Sequence, residues 1–319
     1  MKVGLDVMGG DFAPKSTISG AIQAQKEFPE DDQIVLIGPE EVILQQLEEH
    51  GGDPDAFKIE HSPDVIEMGE HPTKALAKKP GSSIAHGFQL LKNGHIDAFA
   101  SAGNSGAMMV GAIYSVNTIQ GIIRPTSSVI VPKENGKISI LLDVGTNPDA
   151  KPDVLYQFGL LGSIYAQYVY HIENPRVGLL NIGTEAEKGN LLYQSAYQLM
   201  KNSEDFNFVG NMEGRDVFKD KIDVIVCDGF TGNVILKLLE SVYRMLVKRG
   251  LRDSYIDSMN YENYGGTPLL GINSTVLMGH GISNDVAIKN MILLTREVHN
   301  VQLSKKIKQA LLNFSTNKD

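Results

Sequence analysis

The stretch "DVIVCDGFTGN", residues 223–233, decides the fold. Five residues that suit a strand run into a small, glycine-rich tip, Asp228, Gly229, Thr231, Gly232 and Asn233. The sequence then turns at once to helical spacing in "VILKLLESVYRMLVKR". Four more segments repeat this strand, break and helix. "KVGLDV" passes through "MGGDFAPKS", "IDAFAS" through "AGNSG", "KISILLDV" through "GTNPDAKP" and "RVGLLNI" through "GTEAEKGN". "QIVLIG" followed by "PEEVILQQLEEH" has the same form without the glycines.

These strands are near-continuous apolar runs, the pattern of strands covered on both faces of a parallel sheet. Their alternation with helices predicts right-handed crossovers and an α/β fold, a three-layer α/β/α sandwich with a mostly parallel sheet. In such a sheet the loops after the strands gather on one edge, where ligands bind. The five glycine-rich loops are therefore expected to converge on one crevice. "PKENGK" (132–137) reads as a hairpin turn between "SSVIV" and "ISILL", so one antiparallel pair interrupts the parallel order.

The chain has 319 residues, 42% hydrophobic and 21% charged, with a formal net charge of -9. That length carries a large core, as one α/β domain or as two lobes, and we read 1–319 as a single domain. The acidic balance argues against general nucleic-acid binding, which favours basic faces. The single cysteine, Cys227, excludes an internal disulfide and reads as a small core residue, in keeping with a reducing cytoplasm. The start, "MKVGLDVMGGD", has no long apolar stretch, so no signal peptide is expected. No apolar run approaches the ~20 residues that span a bilayer. Ile235, Leu238, Leu239, Val242, Met245 and Leu246 form one apolar face at helical spacing. A mostly helical stretch from Asn284 to about Phe314 carries Met291, Leu294, Val298, Val301, Ile307 and Leu311. Both stretches suit either a core of their own or a second subunit.

Glycines let the backbone approach a ligand, and a following helix N-terminus adds partial positive charge, so together they make an anion site. One such turn is also explained by turn geometry alone, but five point to function. GxGxxG after a strand and GxxxxGK[ST] are both absent, and no HExxH or histidine spacing suggests a metal. "GNSGA" approaches a nucleophile elbow but ends in Ala107, so Ser105 reads as an N-cap or anion contact. His280 in "GHGIS" is the one histidine in a glycine loop, as a turn residue or a functional one. Asp6, Asp11, Asp143 and Asp228 lie at or near strand tips, where such acids can chelate Mg²⁺, cap helices or orient a lysine. The cations able to balance them are Lys188, Arg124 and Arg215.

Taken in order, "DVMGGD" (6–11), "SAGNSGA" (101–107), "IRP" (123–125), "DVGTN" (143–147), "PRVGLLNIGTEAEKGN" (175–190), "GNMEGRD" (210–216), "DVIVCDGFTGN" and "NYGGTPLLGIN" (263–273) resemble the phosphate acyltransferase family of bacterial phospholipid synthesis. The resemblance runs from about Met1 to Gly281. It implies transfer of a fatty acyl group from acyl carrier protein to inorganic phosphate, with no cofactor and no metal, the product serving a membrane glycerol-3-phosphate acyltransferase. It also implies a fold like phosphotransacetylase and the isocitrate/isopropylmalate dehydrogenases, and a cytoplasmic homodimer resting on the membrane surface. The helices at 233–262 and 284–314 are the dimerisation candidates. This chain has "GNSGA" and "DVGTN" where the family pattern has GNTGA and DVGAN, and its helical hairpin before "NYGG" is shorter.

Under the resemblance, Lys188 supplies charge to phosphate and the developing oxyanion, Asn233 donates its amide, and Asp228 orients Lys188. Phosphate and substrate contacts are expected from Gly9, Gly10, Asp11, Gly103, Asn104, Ser105, Gly106, Gly145, Asn147, Gly229, Thr231, Gly232 and His280. The backbone N–H groups of 103–106 and 229–232 are expected to help cradle the anion. An acidic carrier protein needs a basic patch, either Lys74, Lys78 and Lys79 or Lys248, Arg249 and Arg252. The rival readings are a metal- and NAD(P)-dependent hydroxyacid dehydrogenase, a phosphotransacetylase using acetyl-CoA, and a non-enzymatic scaffold for lipid synthesis.

Overall fold

A computed structural model describes residues 1–316, with side chains to Leu312, so the last three residues of the 1–319 reading lie outside the described residues. The chain opens with β1 (Lys2–Asp6), α1 (Lys15–Gln25), β2 (Gln33–Gly38), α2 (Glu40–Glu49) and β3 (Lys58–His61). Next come α3 (Pro72–Lys78), α4 (Ser83–Lys92), β4 (Ala98–Ser101) and α5 (Ser105–Val116). The middle holds β5 (Ser128–Pro132), β6 (Ile138–Leu142), α6 (Pro152–Val169), β7 (Arg176–Asn181), α7 (Leu191–Met200), β8 (Asn207–Glu213) and β9 (Val224–Val226). Then follow α8 (Gly229–Lys248), α9 (Ser254–Ser258), β10 (Gly266–Pro268), β11 (Thr275–Gly279), α10 (Asp285–Asn300) and α11 (Leu303–Thr316).

Where the sequence reads as one domain around one sheet, the chain forms two compact units, each with a sheet of its own. The first comprises Met1–Thr118 and Tyr261–Gln302, the second Ile119–Asn260 and the segment from Leu303. The first sheet runs β10-β11-β4-β1-β2-β3 and is parallel except for β10. The second runs β5-β6-β9-β7-β8 and is parallel except for β5, which pairs with β6 through the expected hairpin. Val3, Leu5 and Ile34–Ile37 in the first unit, and Ile140–Leu142 and Val224–Val226 in the second, are fully buried, as their unbroken apolar runs require.

The five glycine loops divide between these sheets, two in the first unit and three in the second. Within each unit parallel pairing puts them on one edge. In the first, β11, β4 and β1 are neighbours, so the loops carrying His280, Gly103–Gly106 and Gly9–Asp11 stand side by side. In the second, β6, β9 and β7 are neighbours, which aligns the loops of Gly145–Asn147, Asp228 and Lys188.

Helix α8 begins at Gly229, four residues before the expected start, so "GFTG" is its first turn and not a loop. On its apolar face Ile235 and Leu239 pack on the core of the second unit, while Leu238 and Met245 are 61% and 50% exposed. The segment 284–314 divides between the units. Met291 and Val298 of α10 are buried in the first and Ile307 and Leu311 of α11 in the second. Helix α10 lies against α1, where a Cβ on Gly20 would stand 2.7 Å from the Ile288 side chain. Those side chains serve their own units, whereas Val234, Leu238 and Met245 leave an apolar face of α8 exposed.

Candidate active site

In the second unit the edge is organised around a buried carboxylate. Asp143 Oδ2 accepts from Asn147 N at 2.5 Å and Asn147 Nδ2 at 3.0 Å, and Oδ1 accepts from Ser127 N and Oγ, each at 3.3 Å, and from Thr146 N at 3.4 Å. A fully buried acid with no cation paired to it among the described residues needs this many donors. Asn147 also donates from Nδ2 to the Pro125 carbonyl at 2.9 Å. Asn147 is thus a brace for the loop and has no side-chain N–H left over for a ligand. Gly145 turns with φ 99°, a conformation suited to glycine, and the Asn233 side chain lies beside it.

Asp228 caps α8. Its Oδ1 accepts from Thr231 N at 2.8 Å, while Oδ2 accepts from Thr231 Oγ1 at 2.8 Å and from Tyr193 Oη at 2.5 Å. The carboxylate is therefore bound to Tyr193 and Thr231 and does not orient Lys188, contrary to the expectation from sequence. Burial, with the Asp228 hydrogen bond added, pushes the Tyr193 phenol well above its ordinary value.

The amides of the first α8 turn are largely committed. Gly229 N donates to Asn147 O, Thr231 N to Asp228 Oδ1 and Gly232 N to Asp228 O. The expected cradle of backbone N–H groups at 229–232 reduces to the Phe230 amide, which has no partner among the described residues. Gly229 and Gly232 serve contact instead. A Cβ on Gly229 would fall 2.8 Å from Asp143 Oδ2. Lys188 is exposed and its stem folds over Gly183, and its ammonium has no acid partner among the described residues. Asn233 is exposed, with its amide uncommitted among the described residues. Arg124 donates to the Asp149 carbonyl, and Arg215 pairs with Glu213.

The first unit repeats this economy. Asp6 Oδ2 accepts from Ser101 Oγ at 2.6 Å and Oδ1 from Met8 N at 3.0 Å, while Gly103 N donates to Ser101 Oγ. Burial pushes the Asp6 carboxyl up, and the bonds from Ser101, Ser83 and Met8 offset this only in part. A Cβ on Gly9 would meet Asp6 Oδ2 at 2.6 Å and Gly103 N at 2.7 Å, so these glycines join loop to loop. Asn104, not Ser105, caps α5, accepting from Ala107 N at 2.9 Å. Its Nδ2 donates to the carbonyls of Glu67, Met68 and Glu70. Ser105 and Gly106 keep amides with no partner among the described residues. Asp11 is exposed, its N–H bonded to Gly281 O, and His280 lies 5.3 Å from the Tyr261 ring. Gly10 turns with φ 111° close to Gly281.

Cys227 is buried, with Sγ 3.7 Å from the Asp143 carbonyl, and burial first, then the charges of Asp228 and Asp143, pushes the thiol well up. Among the described residues no group of three or more His, Cys, Asp or Glu is arranged to hold a metal, and no helix is long and apolar enough to cross a membrane. Ser101, Ser127 and Tyr193 also belong to these networks, beyond the residues expected from the sequence. The serines stand within quoted or adjacent motifs, whereas nothing local marks Tyr193, whose partner is 35 residues away.

A family model described as "Fatty acid synthesis protein" matches residues 1–306. The chain is 40% identical over 330 residues to a phosphate acyltransferase from Dictyoglomus turgidum, covering 98% of each chain. It is 43% identical over 318 residues to one from Bacillus cereus, covering 93% of this chain and 94% of that one. A phosphotransacetylase from Streptococcus pyogenes has the same fold at TM-score 0.67 and 16% identity, covering 93% of this chain and 94% of that one.

Proposed function

Since the chain belongs to the phosphate acyltransferase family of fatty acid synthesis, we propose that it transfers a fatty acyl group from the thioester of acyl carrier protein to inorganic phosphate. A phosphate oxygen attacks the thioester carbonyl, a tetrahedral oxyanion forms, and the C–S bond breaks to release the carrier thiolate, which takes up a proton. Phosphate is largely ionised near neutral pH, so it needs positioning more than deprotonation. Lys188 supplies charge to phosphate and oxyanion, and Asn233 and the Phe230 amide donate hydrogen bonds. Each oxyanion donor contributes about 3 kcal/mol. Asp228, Gly145 and Asn147 act indirectly, by holding the α8 N-terminus and the loop beside it.

The observation that carries this reading is a contrast within one sheet edge. The two buried aspartates, Asp143 and Asp228, have their oxygens occupied by neutral donors. Lys188, on the neighbouring loop after β7, and Asn233, near the start of α8, are exposed and uncommitted among the described residues. The first unit carries its own part of the proposal, with the Ser105 and Gly106 amides as anion donors and exposed Asp11 beside them. Homodimerisation through the exposed face of α8, and association with a membrane surface, belong to the same reading.

The test is formation of acyl phosphate from palmitoyl-carrier protein and phosphate, trapped with hydroxylamine, for the wild type, Lys188→Ala and Asn233→Ala. Each variant is expected to lose about 100-fold in kcat. Wild-type turnover in both removes them from the site, and turnover with acetyl-CoA in place of the carrier-bound donor favours a phosphotransacetylase.

A further inference from the structure

We infer that Tyr193 is a positioning residue for the transfer, fixing the Lys188 loop to the capped N-terminus of α8; this rests on the reading of Lys188 given above. Lys188 is followed by Gly189, at φ 88°, and by Asn190, the cap of α7, which accepts from Tyr193 N at 3.2 Å. Asn181 Nδ2 donates to the Lys188 carbonyl at 3.1 Å, and Gln194 Nε2 donates to the carbonyls of Glu187 and Gly189 at 2.7 and 2.9 Å. The backbone on both sides of Lys188 is thus clamped to the end of β7 and the first turn of α7.

What α7 is clamped to matters next. The Tyr193 phenol donates to Asp228 Oδ2 at 2.5 Å and accepts from Asp228 N at 3.2 Å. Both partners are 7% exposed. A buried O–H to a carboxylate is a strong and directional bond. Asp228 in turn fixes Thr231 and the start of α8, two residues before Asn233. One phenol oxygen therefore links the backbone that carries the ammonium group to the backbone that carries the amide. Small displacements of such groups cost far more in turnover than in folding.

The experiment compares Tyr193→Phe with the wild type in the acyl phosphate assay, together with thermal unfolding. The phenyl ring is kept and only the hydroxyl is lost. The expected result is a kcat about tenfold lower, with KM for the carrier-bound donor unchanged, in a protein that unfolds near the wild-type temperature. Asp228→Asn keeps a capping side chain and weakens the phenol's acceptor, so it is expected to show the same split. A residue that only stabilises the fold would lower the unfolding temperature and leave turnover per folded molecule unaltered. Wild-type kcat in both variants overturns the inference. If Lys188→Ala also turns over as wild type, the site reading falls with it; if Lys188→Ala is impaired, the positioning role alone falls.

Discussion

Gly232 lies so close to Asp143 that a Cβ built on it would stand 1.9 Å from the Asp143 carbonyl oxygen. No rotamer relieves this, because the clash is with backbone. Gly232→Ala is expected to force α8 away from the Asp143 loop and to destabilise the chain by about 3 kcal/mol. A urea titration followed by circular dichroism measures this, and an unchanged midpoint would mean that the helix docks less tightly than described.

At the opposite edge of the second sheet, Lys133 is fully buried between Asp223 at 2.6 Å and Asp220 at 3.0 Å, with Arg176 bonded to both acids. Burial raises the Asp223 carboxyl, but the hydrogen bonds from Arg176 and Lys133 outweigh it and leave it at about 2. Asp220 is held low by Arg176 and then Lys133. A depressed carboxyl stabilises fully above its unfolded pKa, about 3.9, and loses that contribution as pH falls through the folded value. Stability is therefore expected to fall between roughly pH 4 and pH 2. Lys133→Met is expected to cost about 2 kcal/mol at pH 7 and to flatten this acid dependence, read from urea midpoints at pH 7 and pH 3.

The Cys227 thiol is buried and pushed toward its neutral form. The native protein is expected to give no reaction with an aromatic disulfide reagent over the time in which the urea-unfolded chain releases one equivalent. Prompt native labelling would show that the β9 tip opens.

Of the two basic patches, Lys79 is held by Glu70 and the Val65 carbonyl and Arg252 by Asp257, which among the described residues leaves Lys74 and Lys78, and Lys248 and Arg249, for a partner. Charge reversal of one pair is expected to raise KM for the carrier-bound donor about tenfold, with KM for phosphate unchanged and the effect fading at high salt. If reversal of both pairs leaves KM unaltered, carrier docking uses another surface.

Much of the fold is legible in the sequence. Unbroken runs such as "KVGLDV" and "ISILL" demand burial on both faces, and they form the parallel strands expected of them. The hairpin at 132–137 follows from its Asn135–Gly136 turn. The roles of the polar tips were less legible. Under the family resemblance Asn104 and Asn147 are expected as substrate contacts and Asp228 as the residue that orients Lys188. In the structure their side chains are spent on caps and carbonyls, since buried backbone groups must be satisfied first. The glycines 9, 229 and 232 mark close approach between loops, which the sequence does not distinguish from close approach to a ligand.

By itself, the sequence determined which segments become strands and helices, where one gives way to the other, and the family to which the chain belongs. These depend on local periodicity, turn chemistry and motif order, all of which lie along the chain. Only the tertiary structure decided that the loops belong to two sheets, that Asp228 answers to Tyr193 and not to Lys188, and that Lys188 and Asn233 are left uncommitted among the described residues. Those outcomes depend on which distant donors reach a buried oxygen first, and strand order, not sequence distance, determines that.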